Sequence, residues 1–272
     1  MDRQQEQFLA KEGDFPTLIM RLRGPLNIAT IIEMVKNDKE FVFILKKMFT
    51  KRVISKISRR TRLQSKSSYW FLYRRCLVSG TMAKRVIRQN ELRENNEKLN
   101  RIITKTFPNR FMNEAMRYGL LHEENALKAL LDLFKTEHRK PKIDTHGVIL
   151  YDKAPFIGAS VDGVLSCECC KKSILIEVKC PFHLKDTGIE NWSILEYFDK
   201  DQNLKRNHTY FNQINLYQGI LGIQDAFFIV YAKGKIIIKE IKFDESFFDY
   251  QIKNISQYYM DFYLPTVIGK KI

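Results

Sequence analysis

A short segment near the middle of the chain alternates between apolar and polar side chains, the pattern of a β-strand with two different faces. Within residues 174–179, Ile176 and Val178 point to one side, and Glu177 and Lys179 point to the other. This alternation predicts a strand whose apolar face enters a core while its charged face lines a cleft.

The same strand has a candidate partner just before it in the chain. If residues 157–165 and 174–179 pair as an antiparallel hairpin with its tip near Cys169, Asp162 lies opposite Glu177. Directly opposed residues have Cβ atoms about 5 Å apart, so the two carboxylates could share one divalent cation. Carboxylates this close repel each other unless a cation or a proton lies between them.

These residue types suit metal-assisted cleavage of a phosphodiester. Asp162, Glu177 and the backbone carbonyl of Val178 would hold the metal, and hard oxygen ligands favour Mg²⁺, with Mn²⁺ as a substitute, over zinc. Lys179 would orient or deprotonate the attacking water and stabilise the developing negative charge. The alternative is a surface hairpin with an ordinary Glu–Lys pair, and this segment alone does not decide between the two.

A third carboxylate lies on a predicted helix. Residues 111–136 carry one apolar stripe at helical spacing that includes a glutamate. The stripe consists of Met116, Leu120, Glu123, Leu127, Leu130 and Phe134. An ionised carboxylate that faces a core is costly unless it is paired or bound to a cation. Glu123 therefore either joins the two hairpin carboxylates, reaches water at the edge of the stripe, or pairs with a buried arginine.

Further motifs occur before and after the hairpin. In chain order they are Trp70-x-x-x-Arg74 with Leu77-Val78-Ser79-Gly80-Thr81, Gly119-x-x-x-Glu123, Gly158-x-Ser160-x-Asp162-Gly163, Glu177-Val178-Lys179-Cys180-Pro181-Phe182 and Tyr210-x-x-Gln213. This series resembles the phage λ exonuclease and YqaJ-type viral recombinase family, the alkaline exonuclease-like branch of the PD-(D/E)xK nuclease superfamily. The resemblance runs from about Trp70 to the last residue and loses no catalytic position.

The resemblance implies an α/β (α+β) fold with a restriction-endonuclease-like core, in which helices flank a central mixed β-sheet. It also implies that Glu123 and Gln213 share the site of Asp162, Glu177 and Lys179, where they would bind metal-associated water or the nucleophile. Gln213 lies on the inward stripe of its own predicted helix, so an ordinary interior amide is the alternative.

The resemblance further implies a pocket for a terminal 5′-phosphate, formed by Arg74, Thr81 and Ser160. Such a pocket would make the enzyme an exonuclease. The alternative is that Arg74 is a surface cation and that Thr81 is the N-cap of the helix that follows it.

The function that the resemblance implies is a magnesium-dependent 5′-to-3′ exonuclease. Its substrate would be double-stranded DNA with free ends, in viral or mobile-element recombination, replication or repair, with a single-strand annealing protein as a candidate partner. Relatives include monomers and ring-shaped trimers, and the sequence does not select between them. The alternatives are an endonuclease of the same superfamily and a non-catalytic DNA-binding recombination partner.

Charge supports a nucleic-acid partner independently. The formal net charge is +15, and basic residues are concentrated between Lys46 and Lys66, where no acidic residue occurs. Apolar residues interrupt this run at near-helical spacing, which predicts helices with a basic face along the phosphates. A solvated tail or a nuclear-import signal is the alternative. Non-specific binding of this kind should weaken steeply with salt.

The domain boundary is predicted near residue 68. Residues 1–68 form a basic, mainly helical extension, and residues 69–272 form the nuclease core domain. Near the end of the chain, residues 225–233 and 235–243 alternate as two strands joined at Gly234. Asp244 is predicted to cap a last helix that ends before Pro265.

Cysteines suggest a separate hypothesis. Cys167, Cys169 and Cys170 are close together at the predicted hairpin tip, but Cys-x-Cys-Cys matches the paired spacing of zinc sites poorly. Free thiols in a reducing compartment are therefore expected, with structural zinc as the alternative. The absence of a signal-like apolar segment favours an intracellular protein, and a nuclear one if the host is eukaryotic.

Overall fold

The computed structural model describes residues 26–104, 113–268 and 270. Within these residues, no helix has the length and apolar character that crossing a membrane requires. The helices predicted for residues 1–25 lie outside the described ranges, as do the first two residues of the helix predicted at 111–136.

Three capped helices begin the described chain. An Asn or Thr side chain accepts a backbone N–H at the start of each one, which favours helix formation there. The helices are α1 (Ile28–Met34), α2 (Asp38–Met48) and α3 (Lys51–Arg60). Their apolar faces share one hydrophobic cluster with later elements, and Phe41 packs 6.0 Å from the ring of Tyr259. The described part of the predicted extension thus packs into the same core as the C-terminal helices.

A mixed segment connects these helices to the central part of the chain. It contains α4 (Ser68–Arg74), β1 (Val78–Ser79), α5 (Gly80–Glu91) and α6 (Glu97–Thr104), followed after the undescribed residues by the long helix α7 (Glu114–Lys135). Strand β1 pairs in parallel with β4 (Ala154–Ala159), and β3 (Ile149–Tyr151) pairs with β4 on its other side. These strands form a small three-stranded sheet.

The main sheet has five strands in the order β2-β5-β6-β7-β8. These strands are β2 (Lys142–Asp144), β5 (Gly163–Ser166), β6 (Ser173–Lys179), β7 (Asp225–Ala232) and β8 (Lys235–Lys242). The β6–β7 pair is parallel and the other pairs are antiparallel, so the sheet is mixed. Helix α8 (Thr209–Leu221) lies between β6 and β7 in the chain.

Helices cover both faces of this sheet. On β7, Phe228 and Val230 pack in the cluster that contains α8 residues, whereas Phe227 and Ile229 pack in the cluster that contains α7 residues. This is the alternation expected for a strand buried on both sides. The mixed sheet flanked by helices confirms the predicted fold class.

The register of the β5–β6 hairpin is as predicted. Gly163 pairs with Ile176, so the next position places Asp162 beside Glu177. The first strand, however, does not run through residues 157–165 as predicted. Residues 154–159 belong to the small sheet, and the chain crosses to the main sheet at residues 160–162, because β4 is already paired on both edges by β1 and β3.

The predicted stripe on α7 is buried only in its C-terminal half. Leu130 and Ala126 are buried against the sheet, but Met116 is 47% exposed and Leu120 is 43% exposed. The inward assignment of these two residues is therefore wrong. The helix is longer than the sheet surface it packs on, so its first turns extend beyond the core.

The C-terminal hairpin and its helix follow the predicted bounds closely. Lys233 and Gly234 both have positive φ, which suits the two-residue turn between β7 and β8. Helix α9 (Glu245–Tyr258) continues through a π-helical turn into α10 (Leu264–Val267), which contains Pro265. Helix α9 itself therefore ends before Pro265, as predicted, and Pro265 lies in the first turn of α10, where no hydrogen-bonded N–H is needed.

The predicted cap of α9 is present, and its removal should be measurable. The Asp244 side chain accepts the backbone N–H of Phe247 at 3.0 Å. Asp244→Ala should lower the free energy of unfolding by about 1 kcal/mol in urea denaturation, because the helix loses its N-cap. Asp249→Ala, an exposed position on the same helix, is the control and should change stability little. Equal effects of the two substitutions would show that the cap contributes nothing.

Candidate active site

Asp162 and Glu177 are neighbours at the point where the chain links the small sheet to the main sheet. Asp162 belongs to this link, and Glu177 belongs to β6. Asp162 accepts the backbone N–H of Val178 at 2.6 Å, which fixes its side chain against β6. Glu177 is only 2% exposed beneath α8, whereas the Lys179 side chain on the same face is 22% exposed. The predicted cleft along this face is therefore wrong at Glu177, and the face reaches solvent only at Lys179. Gln64 donates to the Val161 carbonyl at 2.8 Å and holds the chain that carries Asp162.

The lysine of the motif contacts the same carboxylate. Lys179 Nζ donates to Glu177 Oε1 and, at 3.1 Å, to the Val178 carbonyl oxygen. It also lies 4.8 Å from the centroid of the Tyr210 ring. The attraction of Glu177 and Asp162 raises the pKa of Lys179 despite its burial, so the ammonium form is held at physiological pH.

Helix α7 brings the third carboxylate to this point. Glu123 is half-buried, and burial and the neighbouring charge of Asp162 raise its pKa to about 7. The positive charges of Lys179 and Lys66 lower the pKa of Glu123. Glu123 therefore belongs to the same electrostatic cluster as the hairpin carboxylates, which was the first of the alternatives open for it.

Helix α8 brings Gln213 to the site. Gln213 Nε2 donates to Glu177 Oε1 at 2.6 Å, so its amide is buried against the carboxylate and not simply against backbone. Every residue from 211 to 218 is buried. The inward position predicted for Gln213 is confirmed, and burial extends beyond the predicted stripe because α8 packs between the sheet and helices α5 and α9.

The residues present fit a divalent cation. Glu177 Oε1 accepts hydrogen bonds from Lys179 and Gln213, but its buried Oε2 has no hydrogen-bond partner among the described residues. A buried carboxylate oxygen without a partner is costly, and a cation shared with Asp162 would remove that cost. The donor set of carboxylates and a nearby carbonyl is the set that Mg²⁺ and Mn²⁺ prefer.

Stability of the metal-free protein should depend on pH through these groups. Burial raises the pKa of Glu177 to about 8, and that of Glu123 is raised to about 7. The folded state therefore holds protons that the unfolded state loses above about pH 4.5. In EDTA, the free energy of unfolding should fall as the pH rises from about 4.5 to about 8, and Glu123→Gln should weaken this dependence.

Mg²⁺ should restore the stability that the metal-free protein loses as the pH rises. Protonated carboxyls bind no metal, so the rise in Tm on adding Mg²⁺ should be larger at about pH 9 than at about pH 6. Thermal unfolding across this range, with and without Mg²⁺, measures the effect. A rise of equal size at every pH would contradict the assignment of these carboxyls as ligands.

A second polar group lies beside the carboxylates. Arg74 Nη2 donates to Ser79 Oγ at 3.4 Å, and Ser79 Oγ lies 3.0 Å from Thr81 Oγ1. The Arg74 guanidinium stacks on Trp70 at 4.1 Å, and Trp70 Nε1 donates to Ser160 Oγ at 2.9 Å. The structure thus brings the three predicted pocket residues together, with Ser79 and Trp70 as links that the residue-by-residue prediction did not include.

The structure does not support the two alternatives, in which Arg74 is a surface cation and Thr81 is an N-cap. Arg74 is half-buried, and burial lowers its pKa, so it is not an ordinary surface cation. Ser79 occupies the N-cap position of α5, and Thr81 lies inside the helix with its hydroxyl against Ser79. The Thr81 hydroxyl therefore does not cap the helix.

Close packing joins the two groups. A Cβ on Gly80 would lie 2.6 Å from the Tyr217 ring and 2.8 Å from Gln213 Cγ, so only glycine lets α5 begin this close to α8. Burial raises the pKa of Tyr217 to about 12, and the charges of Glu177, which raises it, and Arg74, which lowers it, act on the same hydroxyl. Both the carboxylates and Arg74 thus lie close enough to one tyrosine to shift its pKa.

The basic run has the form predicted for it in the described helices. On α3, Ile54 and Ile57 are buried, whereas the basic residues are exposed: Lys51, Arg52, Lys56, Arg59 and Arg60. The run leads through Arg62, which donates to the Thr145 carbonyl, to Lys66, which is close enough to Glu123 to lower its pKa. A basic surface therefore reaches the carboxylate cluster.

Fold and site together define the chain as a restriction-endonuclease-like α/β protein with an acidic cluster and a lysine at the carboxyl end of β6, the central strand of its mixed sheet. A model of the YqaJ-like viral recombinase domain matches residues 69–224, more than half of the chain, and the chain belongs to this family. The family predicted from the motifs is confirmed. A search of curated proteins found no match.

Solved structures share the fold at low sequence identity. The alkaline exonuclease LHK-Exo from Laribacter hongkongensis is 21% identical, with a TM-score of 0.53 over 74% of this chain and 94% of that one. The shutoff and exonuclease protein from Kaposi's sarcoma-associated herpesvirus is 10% identical, with a TM-score of 0.55 over 99% of this chain and 95% of that one. A complex of SOX with DNA gives 11% identity and a TM-score of 0.56, over 89% of this chain and 79% of that one.

Proposed function

We propose that this chain is a magnesium-dependent exonuclease that degrades linear double-stranded DNA in the 5′-to-3′ direction. The observation that carries the proposal is the electrostatic interaction of Asp162, Glu177, Glu123 and Lys179 at the carboxyl end of β6, close to the polar group of Arg74, Thr81 and Ser160. This polar group is called the Arg74 group below. Membership of the YqaJ-like viral recombinase domain family and the fold shared with alkaline exonucleases support the proposal.

Asp162, Glu177 and the Val178 carbonyl would hold the Mg²⁺. When bound, the metal would supply charge stabilisation at the attacked phosphate and acidify a water molecule. Lys179 now donates to two of the atoms assigned as ligands, so its ammonium lies where it can stabilise negative charge that develops on the phosphate. Its raised pKa favours this electrostatic role over proton abstraction.

Glu123 and Gln213 complete the cluster from two helices. Glu123 lies in the same electrostatic cluster, where its carboxylate could take a proton from a bound water. Gln213 holds Glu177 in one orientation through its 2.6 Å hydrogen bond. We assign Glu123 as the candidate base and Gln213 as a positioning residue.

In this proposal, the Arg74 group makes the enzyme act at DNA ends and not at internal sites. A guanidinium and hydroxyl groups suit the two charges of a terminal phosphate, whereas an internal phosphodiester carries one. Arg74, Thr81 and Ser160 would hold the 5′-phosphate while the carboxylates act on the adjacent bond. The exposed basic residues of α3 would bind the duplex backbone in a salt-dependent manner.

Gly119 is consistent with a DNA strand that passes along α7. It lies one helical turn before Glu123, and a Cβ there would meet no described atom within 4 Å. Glycine inside a helix costs up to about 1 kcal/mol relative to alanine, and protein packing does not account for it at this position. Close approach of a DNA backbone to α7 would account for a glycine at this position.

Release of label from each end of a linear duplex tests the direction. A label on the 5′-phosphate should leave as a small product at the earliest times, whereas a label at the 3′ end should stay in long strands until late in the reaction. Early release of the 3′ label instead would contradict the proposed direction.

A further inference from the structure

Four side chains that the proposed chemistry does not use meet at the far end of the β5–β6 hairpin. Cys167, Cys169 and Cys170 lie in the turn, and His138 lies just beyond the end of α7. The histidine Nδ1 and the three Sγ atoms all lie within 4.8 Å of one another.

The distances within this cluster match one coordination polyhedron. Around a tetrahedral zinc with Zn–S bonds of about 2.3 Å and Zn–N bonds of about 2.0 Å, two sulfurs lie about 3.8 Å apart, and a sulfur and a nitrogen about 3.5 Å. Here His138 Nδ1 lies 3.3 Å from Cys170 Sγ, 3.4 Å from Cys169 Sγ and 3.7 Å from Cys167 Sγ.

The sulfur–sulfur distances agree as well. Cys169 Sγ lies 3.4 Å from Cys167 Sγ and 3.8 Å from Cys170 Sγ. Sulfurs joined in a disulfide would be about 2.05 Å apart, and all three of these thiols are free. A cation held by all four atoms accounts for the arrangement.

Surrounding contacts hold the ligands in place. The His138 ring stacks on Phe134 at 4.7 Å with an interplanar angle of 13°, which sets the direction of Nδ1. The Glu168 N–H donates to the Arg139 carbonyl at 3.0 Å, and Lys140 pairs with Glu168 at 2.8 Å. These contacts join the hairpin turn to the chain after α7.

We infer that His138, Cys167, Cys169 and Cys170 form a structural zinc site that fastens the end of α7 to the β5–β6 hairpin. Four protein ligands leave no open position for a substrate, which is the form of structural zinc sites. The site lies about 20 Å along α7 from Glu123, so it is separate from the carboxylate cluster. It joins the helix that carries Glu123 to the strands that place Asp162 and Glu177.

The proposed zinc site is hard to predict from the sequence because one of its four ligands, His138, is far from the cysteines in the chain. His138 precedes Cys167 by 29 positions, and Cys-x-Cys-Cys lacks the paired spacing of familiar zinc motifs. The end of α7 supplies the fourth ligand, which only the fold brings close.

Metal content and cobalt substitution of the purified chain test the site. Elemental analysis should give about one zinc per chain. Replacing the zinc with Co²⁺ should give thiolate-to-cobalt charge-transfer absorption and the strong visible bands of tetrahedral cobalt. His138→Ala and Cys169→Ser should lose both the zinc and the bands, and the Tm should fall by several degrees. Cys180→Ser, a thiol outside the cluster, and Asp162→Asn, in the other site, should keep them.

Two results would overturn the inference. One is an unaltered chain, prepared with zinc available, that holds no stoichiometric zinc and gives no thiolate charge transfer with Co²⁺. The other is a disulfide among the three cysteines, found by peptide mapping of that same protein. Both measurements use the unaltered chain, so a variant that fails to fold does not affect the outcome.

Discussion

Asp162→Asn and Glu177→Gln should each reduce the cleavage of linear duplex DNA at least about a thousandfold, equivalent to about 4 kcal/mol of transition-state stabilisation. Each substitution keeps the size of the side chain and removes its charge. In Asp162→Asn, a side-chain oxygen can still accept the Val178 N–H, so the loop should keep its position. The loss would therefore come from the missing metal ligand.

Binding and folding are the controls for this prediction. Both variants should bind duplex DNA with the salt dependence of the unaltered chain, because the exposed lysines and arginines are unchanged. On α7, Glu123→Gln should lower the rate strongly, whereas Glu124→Gln, its exposed neighbour, should not. Cleavage retained by Asp162→Asn or Glu177→Gln would place the chemistry elsewhere.

Arg74→Ala should remove most of the preference for a 5′-phosphate. A charge-assisted hydrogen bond contributes about 1.5–3 kcal/mol, so the ratio of rates on 5′-phosphorylated and 5′-hydroxyl ends should fall about ten- to hundredfold. Arg74→Lys should restore little of it, because an ammonium lacks the planar fork that contacts Ser79 and stacks on Trp70.

The matched control for Arg74 is Arg52, an exposed cation on α3. Arg52→Ala should weaken DNA binding slightly and leave the ratio of rates unchanged, because a contact to the duplex backbone does not distinguish the two kinds of end. Initial rates on two duplexes that differ only in the 5′ group give the ratio. An unchanged ratio in Arg74→Ala would remove this residue from end recognition.

Local periodicity predicted the hairpin register at the candidate site correctly. The two-residue repeat of β6 and the hairpin register are properties of adjacent segments, so the sequence alone placed Asp162 beside Glu177. The same holds for the last hairpin, where Lys233 and Gly234 make the turn, and for the cap at Asp244. Each of these features depends on interactions within a few residues or across one turn.

Features set by distant packing were predicted less well. The end of β4 pairs with β1 and not with β6, a choice that depends on strands far away in the chain. The exposed Met116 and Leu120 follow helical spacing as well as Leu130 does, and only the extent of the sheet separates them. Gln64 and His138 are polar residues with no local signal, and the fold alone brings them to Val161 and to the cysteines.

Paired incubation of end-labelled linear duplex and covalently closed circular duplex, each with Mg²⁺ and with EDTA, tests the central claim most directly. The linear duplex should be degraded with Mg²⁺ and remain intact with EDTA, and the closed circle should remain intact in both. Rapid loss of the circle, or degradation of the linear duplex in EDTA, would contradict an end-dependent nuclease that uses a metal at Asp162 and Glu177.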